Sequence, residues 1–413
     1  MRTVSVQAMV GAVRARGGVP RVVVSGNHAT PWPVVAALDE GLAEWTLHML
    51  NPQRGVPVRD GIRLETCFVG PGMRDAPTLA YIPSRLSMLP SLLRTHLPPD
   101  VVVLHTSTPR RGRVSMGTEV NILPAAVEAA HAHGGLVVAA MNPRMPYTYG
   151  DSVLDLDQVD LAVEIDDELS ASTPVPLDDA SMEIGARVAD RVLDGATIQA
   201  GIGLIPDAAL AGLASRRELR IWSETIGDGV LALEEKGALD TNVPIGTSFL
   251  FGTAELYSWV DRNRRVRMLR TETANNPARI ALNPQLVSIN SALQVDLHAQ
   301  ANAAHIRSRP FSGFGGQPDF VTGALHSPGG QALIALRSWH PKADVSSIVP
   351  YLQTPVTSFQ HTAVVTEHGV AELIGRTQEE QARALIEEAA DPRAREELRA
   401  GARTVGLGAA ALG

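Results

Sequence analysis

The chain has 413 residues, a formal net charge of −8, 45% hydrophobic and 19% charged residues, and a single cysteine, Cys67. Single cores stop growing near ~250–300 residues, so two α/β domains are the expectation. The acidic balance argues against a nucleic-acid partner, which asks for a basic face, and one cysteine excludes an intramolecular disulfide or a multi-cysteine metal site.

The N-terminus has no apolar leader, because Arg14, Arg16 and Arg21 interrupt any run. No stretch approaches the ~18 apolar residues of a membrane span, and the expectation is a cytoplasmic protein with Cys67 as a small buried hydrophobe.

Taken in order, the first half alternates buried-strand and helix patterns. Val22 to Gly26 reads as a strand ending in a turn at Asn27–Pro33, Val34 to Leu42 as a helix, and Ile62 to Val69 and Val101 to His105 as further strands. A helix is expected over Asn121–Ala132, stopped by Gly134-Gly135, then a strand over Leu136–Met141 and a rigid loop at Asn142-Pro143-Arg144-Met145-Pro146. Val159 to Ile165 closes this βαβ rhythm, and Asp166 to Asp179, with its two prolines, reads as the linker. The predicted domains are 1–180 and 181–413.

The second half restarts with a helix over Met182–Leu193 and a strand over Thr197–Ala200. The turn Gly201-Ile202-Gly203 follows, then a helix near Pro206–Leu213. Leu219 to Trp222 is mostly apolar and reads as a short strand that delivers Ser223 and Glu224 to its carboxyl end, before a turn at Gly227-Asp228-Gly229. Ligands of open α/β sheets bind beyond the carboxyl ends of strands, which makes Glu224 the first candidate for chemistry. The last strand is expected at Ala363–Thr366.

Each candidate has a plainer reading. Gly201-Ile202-Gly203 can expose backbone N–H groups to an anion at a helix start, or be a tight structural turn. It also forms part of a dinucleotide fingerprint, but Pro206 stands where the third glycine belongs. Three glycines between 313 and 316 can supply oxyanion donors or make a surface loop. Glu224 can act as a nucleophile in its own right or be a solvated carboxylate. No His-Glu-x-x-His, nucleophile elbow or P-loop occurs.

Together these stretches resemble the acetyl-CoA hydrolase/transferase family, which includes 4-hydroxybutyrate and succinate CoA-transferases. The resemblance runs through Phe68-Val69-Gly70-Pro71, Tyr81-Ile82-Pro83, Asn142 to Pro146, Gly150-Asp151-Ser152, Gly201-Ile202-Gly203, Ser223-Glu224 with Asp228-Gly229, Ile289 to Ala292, Gly315-Gly316-Gln317 with Asp319-Phe320, and Val365 to Ala371. It implies two open α/β domains with the active site at their interface, commonly in a homodimer, with coenzyme A entering as substrate and no metal. It also implies a catalytic glutamate at Glu224, an oxyanion-donating glycine at Gly316 and an active-site asparagine at Asn275. Gly201, Ile202 and Gly203 then lie against the CoA thioester end, with Gly315 and Gln317 beside the same substrate. The implied reaction is CoA transfer between an acyl-CoA and a carboxylate by ping-pong chemistry; an acyl-CoA hydrolase and a catalytically silent CoA-binding protein are the other readings. Trp222-Ser223-Glu224 stands where members usually carry His-Thr-Glu.

Overall fold

The computed structural model describes residues 1–354 and 356–407. It divides into two compact units: residues 1–173, 244–275 and 311–316 form the first, and 174–243, 276–310 and 317–413 the second. The chain first crosses at Thr173/Pro174, inside the expected linker, and then crosses four more times, which a division into 1–180 and 181–413 does not describe.

The first unit is built on an eight-stranded sheet. Its strands are β1 (Arg2–Thr3), β2 (Arg21–Val24), β3 (Trp45–His48), β4 (Ile62–Thr66), β5 (Leu79–Tyr81), β6 (Val101–Thr106), β7 (Leu136–Met141) and β8 (Leu161–Glu164), in the spatial order β1-β8-β7-β6-β2-β3-β4-β5. Every neighbouring pair is parallel. Sheets of this kind are covered on both faces, which is why β6 is buried at all six positions and opens in sequence with the apolar run Val101–Leu104 before His105 and Thr106. The covering helices include α1 (Val6–Arg14), α2 (Trp32–Gly41), α3 (Leu89–Thr95) and α4 (Leu123–Ala132). Ser5 caps α1 by accepting from the Ala8 N–H at 3.2 Å, and Pro124 sits in the first turn of α4, where a missing N–H costs nothing. Trp45, Met9, Leu38 and Leu47 fill the core below the sheet and are fully buried. Each large aliphatic group so buried contributes ~1.5–3 kcal/mol.

The second unit carries a six-stranded sheet. Its strands are β9 (Thr197–Ala200), β10 (Arg220–Ile221), β11 (Leu286–Asn290), β12 (Gln331–Ala335), β13 (Ala363–Val365) and β14 (Val370–Glu372), ordered β10-β9-β11-β12-β13-β14. All pairs are parallel except β13 with β14. Strand β14 is a correction to the sequence reading, which ended the sheet at Ala363–Thr366: Thr366 N–H donates to Gly369 O at 2.9 Å and turns the chain back as a hairpin. The helices α5 (Asp179–Asp190), α6 (Leu204–Gly212), α7 (Asp228–Glu235) and α8 (Gln317–His326) belong to this unit. Asp178 caps α5 through the Ser181 N–H at 3.0 Å. Both units are α/β with parallel sheets, as expected. No helix among the described residues is long and apolar enough to cross a membrane.

Candidate functional site

Strand β10 is only two residues long, yet it places Glu224 firmly. It pairs in parallel with β9, Ile198 opposite Ile221, and the ladder extends through Trp222 N–H to Ile198 O at 3.1 Å. The Ser223 hydroxyl then donates to Ala200 O at 3.0 Å, tying the end of one strand to the end of the next. Glu224 and the turn Gly201–Gly203 therefore leave neighbouring parallel strands at the same carboxyl edge. Glu224 is half-buried, while Ser223 beneath it is buried.

The turn leads into α6. Gly203 has φ 114° and ψ 177°, a region that only glycine adopts freely, and it precedes the helix without any side-chain cap. The first N–H groups of α6 are thus left to a ligand or water, with the positive end of the helix behind them. They border an open cleft of about 820 Å³ whose other wall holds Ser291, Arg337, His340 and Lys342. Lys342 is exposed; Arg337 is half-buried and paired with Asp178. The loop carrying these residues is anchored by Glu367, whose carboxylate accepts from the Ser338 N–H at 3.0 Å and the Ser338 hydroxyl at 2.6 Å. An uncapped helix N-terminus facing the exposed Lys342, with Arg337 and its partner Asp178 beside it, has chemistry that suits phosphate or another anion.

Below Glu224 the packing is close. A Cβ on Gly229 would lie 2.7 Å from Leu210 Cδ1, so the Asp228-Gly229 pair lets α7 approach α6. Asp207, in the first turn of α6, is pushed up to about 6 by burial and then by the negative charge of Asp228. One strand further in, Ser288 Oγ donates to Gln199 Oε1 at 2.6 Å and Asn290 Nδ2 to Ser288 Oγ at 2.8 Å. This buried ladder holds β9 and β11 in register.

The remaining candidates fall elsewhere. Asn275, Gly315 and Gly316 belong to the first unit, and Gln317 opens α8 in the second. Asn275 is fully buried at the end of the short helix Thr271–Ala274, whereas the neighbouring Asn276 spends its side-chain oxygen capping Pro277–Ile280 through Ala278 N–H at 3.0 Å. Two of the three loop glycines have a packing reason. A Cβ on Gly313 would meet Cys67 O at 2.5 Å, and one on Gly315, whose φ is +56°, would meet the Phe68 ring at 2.9 Å. Gly316 is buried and directly precedes α8. The Gln317 Nε2 is buried and has no hydrogen-bond partner among the described residues.

Sequence reasoning missed a second polar cluster, in the first unit. Glu119 is buried and accepts from Asn27 Nδ2 at 3.1 Å and Asn121 Nδ2 at 2.9 Å, and Asn51 Nδ2 donates to Asn27 Oδ1 at 2.9 Å. Nearby, His28 stacks on Phe251 at 3.7 Å and shares a 3.0 Å hydrogen bond with the Tyr257 hydroxyl; burial lowers its pKa to about 4. The available signal was weak: two asparagines each just past an apolar strand.

Comparison with known proteins gives a consistent result. Residues 59–174 match the family model for the acetyl-CoA hydrolase/transferase N-terminal domain, and residues 252–402 match that for the C-terminal domain. The chain is 38% identical to a 4-hydroxybutyrate coenzyme A transferase of Clostridium kluyveri over 92% of both chains. Among solved structures it superposes on a 4-hydroxybutyrate CoA-transferase of Porphyromonas gingivalis with a TM-score of 0.80 at 31% identity, and on RipA from Yersinia pestis with a TM-score of 0.90 at 25% identity. Each of these two matches covers 98% of both chains. The chain therefore belongs to the acetyl-CoA hydrolase/transferase family of enzymes.

Proposed function

We propose that this enzyme moves coenzyme A between an acyl-CoA and a free carboxylate, with Glu224 as the covalent carrier. The observation that carries the reading is Glu224 at the carboxyl end of β10, beside the uncapped Gly201–Gly203 turn on β9. A Glu224 carboxylate oxygen attacks the thioester carbonyl, and the tetrahedral intermediate expels CoA thiolate to leave an acyl-glutamyl anhydride. The thiolate attacks the glutamyl carbonyl, releasing the first carboxylate and forming a glutamyl-CoA thioester. An acceptor carboxylate then repeats the two steps in reverse, and Glu224 is regenerated with no water consumed.

The Gly316 N–H is assigned to the developing oxyanion, where losing one such donor costs ~3 kcal/mol, and Asn275 to orienting the thioester. Gly201, Ile202 and Gly203 would flank the thioester end, with Gly315 and Gln317 beside it. The anionic part of CoA suits the cleft between the α6 N-terminus and Arg337 and Lys342. Binding energy gathered from that remote part of the substrate can be used at the reacting carbonyl. The lone cysteine fits a cytoplasmic setting, and the family resemblance favours a homodimer, which sedimentation would test.

Intact mass after incubation with an acyl-CoA and then borohydride tests the carrier. Borohydride reduces a glutamyl thioester to the alcohol, so a mass loss in the wild type and none in Glu224→Ala is expected. No change in either protein across several acyl-CoAs would overturn the assignment. The second reading, acyl-CoA hydrolysis, uses the same intermediate. It predicts free CoA accumulating with or without an acceptor acid, whereas transfer predicts a new acyl-CoA that forms only with the acceptor and no net release of CoA.

A further inference from the structure

Three short segments of the first unit, 109–113, 147–155 and 261–267, hold seven arginines against three aspartates in a chain whose net charge is −8. The backbone joins them into one face. Arg113 pairs with Asp155 in an antiparallel ladder, Tyr149 with Arg267 in a parallel one, and Arg262 N–H donates to Tyr147 O at 2.9 Å. Thr148 is buried, with its N–H on Ser115 Oγ at 3.0 Å and its hydroxyl on Gly117 O at 2.8 Å. Its two neighbours, Tyr147 and Tyr149, are only half-buried, and their rings meet edge to face at 5.7 Å. An arginine stands over each ring: Arg110 Cζ is 6.0 Å from the centre of Tyr147, and Arg264 Cζ 5.3 Å from that of Tyr149.

Most of this positive charge is not spent within the fold. Arg110, Arg111, Arg264 and Arg267 are exposed, and none has an ion-pair partner among the described residues. The three aspartates are already engaged: Asp155 by Arg113, Asp261 by Arg262 and the Tyr147 N–H, and Asp151 by the Arg270 N–H. Arg111 also stands at the tip of a hairpin closed by Arg110 and Arg113, whose N–H groups donate to each other's carbonyls at 2.6 and 3.1 Å. Its φ is 50° and that of Gly112 is 77°, a turn whose first place ordinarily falls to asparagine, aspartate or glycine. No large apolar side chain of the three segments is exposed. The face therefore lacks the apolar centre of a protein–protein interface and the apolar side of a membrane-binding element. Unpaired cations beside accessible rings are the two parts of a single-strand binding surface, the cations for phosphates and the rings for bases. Bases in a duplex are stacked on one another, so the rings serve only a single strand.

We propose that this face of the first unit binds single-stranded nucleic acid, with phosphates on Arg110, Arg111, Arg264 and Arg267 and bases stacked on Tyr147 and Tyr149. The acidity of the whole chain opposes long-range attraction, so the binding is local and salt-sensitive, with a Kd on the order of 10⁻⁵ M at physiological salt. The site draws nothing from the chemistry assigned to Glu224.

The test is the fluorescence anisotropy of a labelled single-stranded RNA about 20 nucleotides long, titrated with the full chain between about 50 and 200 mM salt. For four phosphate contacts the slope of log K against log salt should be about −3, and Arg110→Ala and Arg264→Ala should each flatten it by ~0.7. Tyr147→Ala should weaken binding ~5–150-fold at an unchanged slope, and Tyr147→Phe should keep it. Inorganic polyphosphate, which carries charge and no bases, should bind through the same arginines and lose nothing in Tyr147→Ala. The unfolding midpoint of each variant checks the fold; should Tyr147→Ala not fold, the exposed arginines still decide. No binding at the low-salt end, binding unaltered by Arg110→Glu together with Arg264→Glu, a folded Tyr147→Ala that binds like wild type, or a duplex bound as tightly as the single strand would overturn the proposal. So would displacement of the RNA by one equivalent of coenzyme A, which would put the RNA in the substrate's place. Arginine variants that change the sedimentation of the chain, or that abolish binding to phosphatidylglycerol vesicles, while the wild type ignores RNA would hand the face to a second copy or to a membrane.

Discussion

The carboxyl edges of the two sheets are built in opposite ways. In the first unit the edge at β2 and β3 is closed by side chains: Glu119, Asn27, Asn51 and Asn121 meet there, three of them strained and the acid buried. In the second unit the edge at β9 and β10 is left open. Gly203 precedes α6 with no side-chain cap, and β10 is tied to β9 by Trp222 N–H on Ile198 O and the Ser223 hydroxyl on Ala200 O. A network of linked polar side chains gives a fixed shape, whereas the backbone donors of an uncapped helix start give a place for a ligand.

The comparison breaks most severely at Glu224. Glu224→Gln keeps the size of the residue and removes the proposed nucleophile, so transfer is expected to fall ~10⁴-fold or more with little change in thermal unfolding. Steady-state formation of the acceptor's acyl-CoA checks this, and an active Glu224→Gln enzyme would remove the open edge from the chemistry.

The buried groups make a pH prediction with a definite sign. The folded pKa of Glu119, about 7, lies above its ordinary 4.5, so its contribution to stability is present in full below pH 4.5 and is lost as the pH rises through 7. Glu119→Gln should flatten that slope by on the order of 3 kcal/mol. His361 works the other way. It is buried with both ring nitrogens unpartnered among the described residues, and burial lowers its pKa to about 4. Its contribution is present above pH 6.5 and lost as the pH falls through 4, so His361→Phe should resist acid better. Urea unfolding from pH 4 to 8 reads both slopes.

At the open edge, Gly203→Ala forces a Cβ onto φ 114°, at a cost of ~1–3 kcal/mol. The expected outcome is a lower unfolding midpoint together with a raised KM for acyl-CoA. Lys342→Ala should have the smallest effect. A rise of a few-fold in KM, shrinking at high salt, is expected of one exposed cation facing an anionic substrate.

Much of the layout was legible. β6 and β7 announce themselves as Val-rich runs, whereas the helix expected over Met182–Leu193 starts earlier, at Asp179, behind its cap Asp178. Glu224 could be placed because an apolar stretch, an acid and a glycine turn follow one another within a few residues. The misses come from distance or from brevity. Glu119 stands 92 positions from Asn27, and neither residue carries a mark that points to the other. Strand β14 is three residues long after a tight hairpin, too short for a period to show. The units are discontinuous, and no local pattern records that residues 244–275 return to the first of them. Gly313 and Gly315 read as possible oxyanion donors, while the structure gives each a nearer reason in the backbone and ring of Cys67 and Phe68.

Cys67 has a practical consequence. It is the chain's one thiol, it is buried, and burial followed by the charge of Glu65 pushes it up to about 12. At neutral pH its thiolate amounts to on the order of one molecule in 10⁵, too little to compete for disulfide reagents or electrophiles. A chromogenic disulfide added to the folded enzyme will therefore count coenzyme A set free by hydrolysis and not the protein's own thiol. Hydrolysis, which frees coenzyme A where transfer does not, can thus be followed continuously in the visible range without first blocking or mutating the protein.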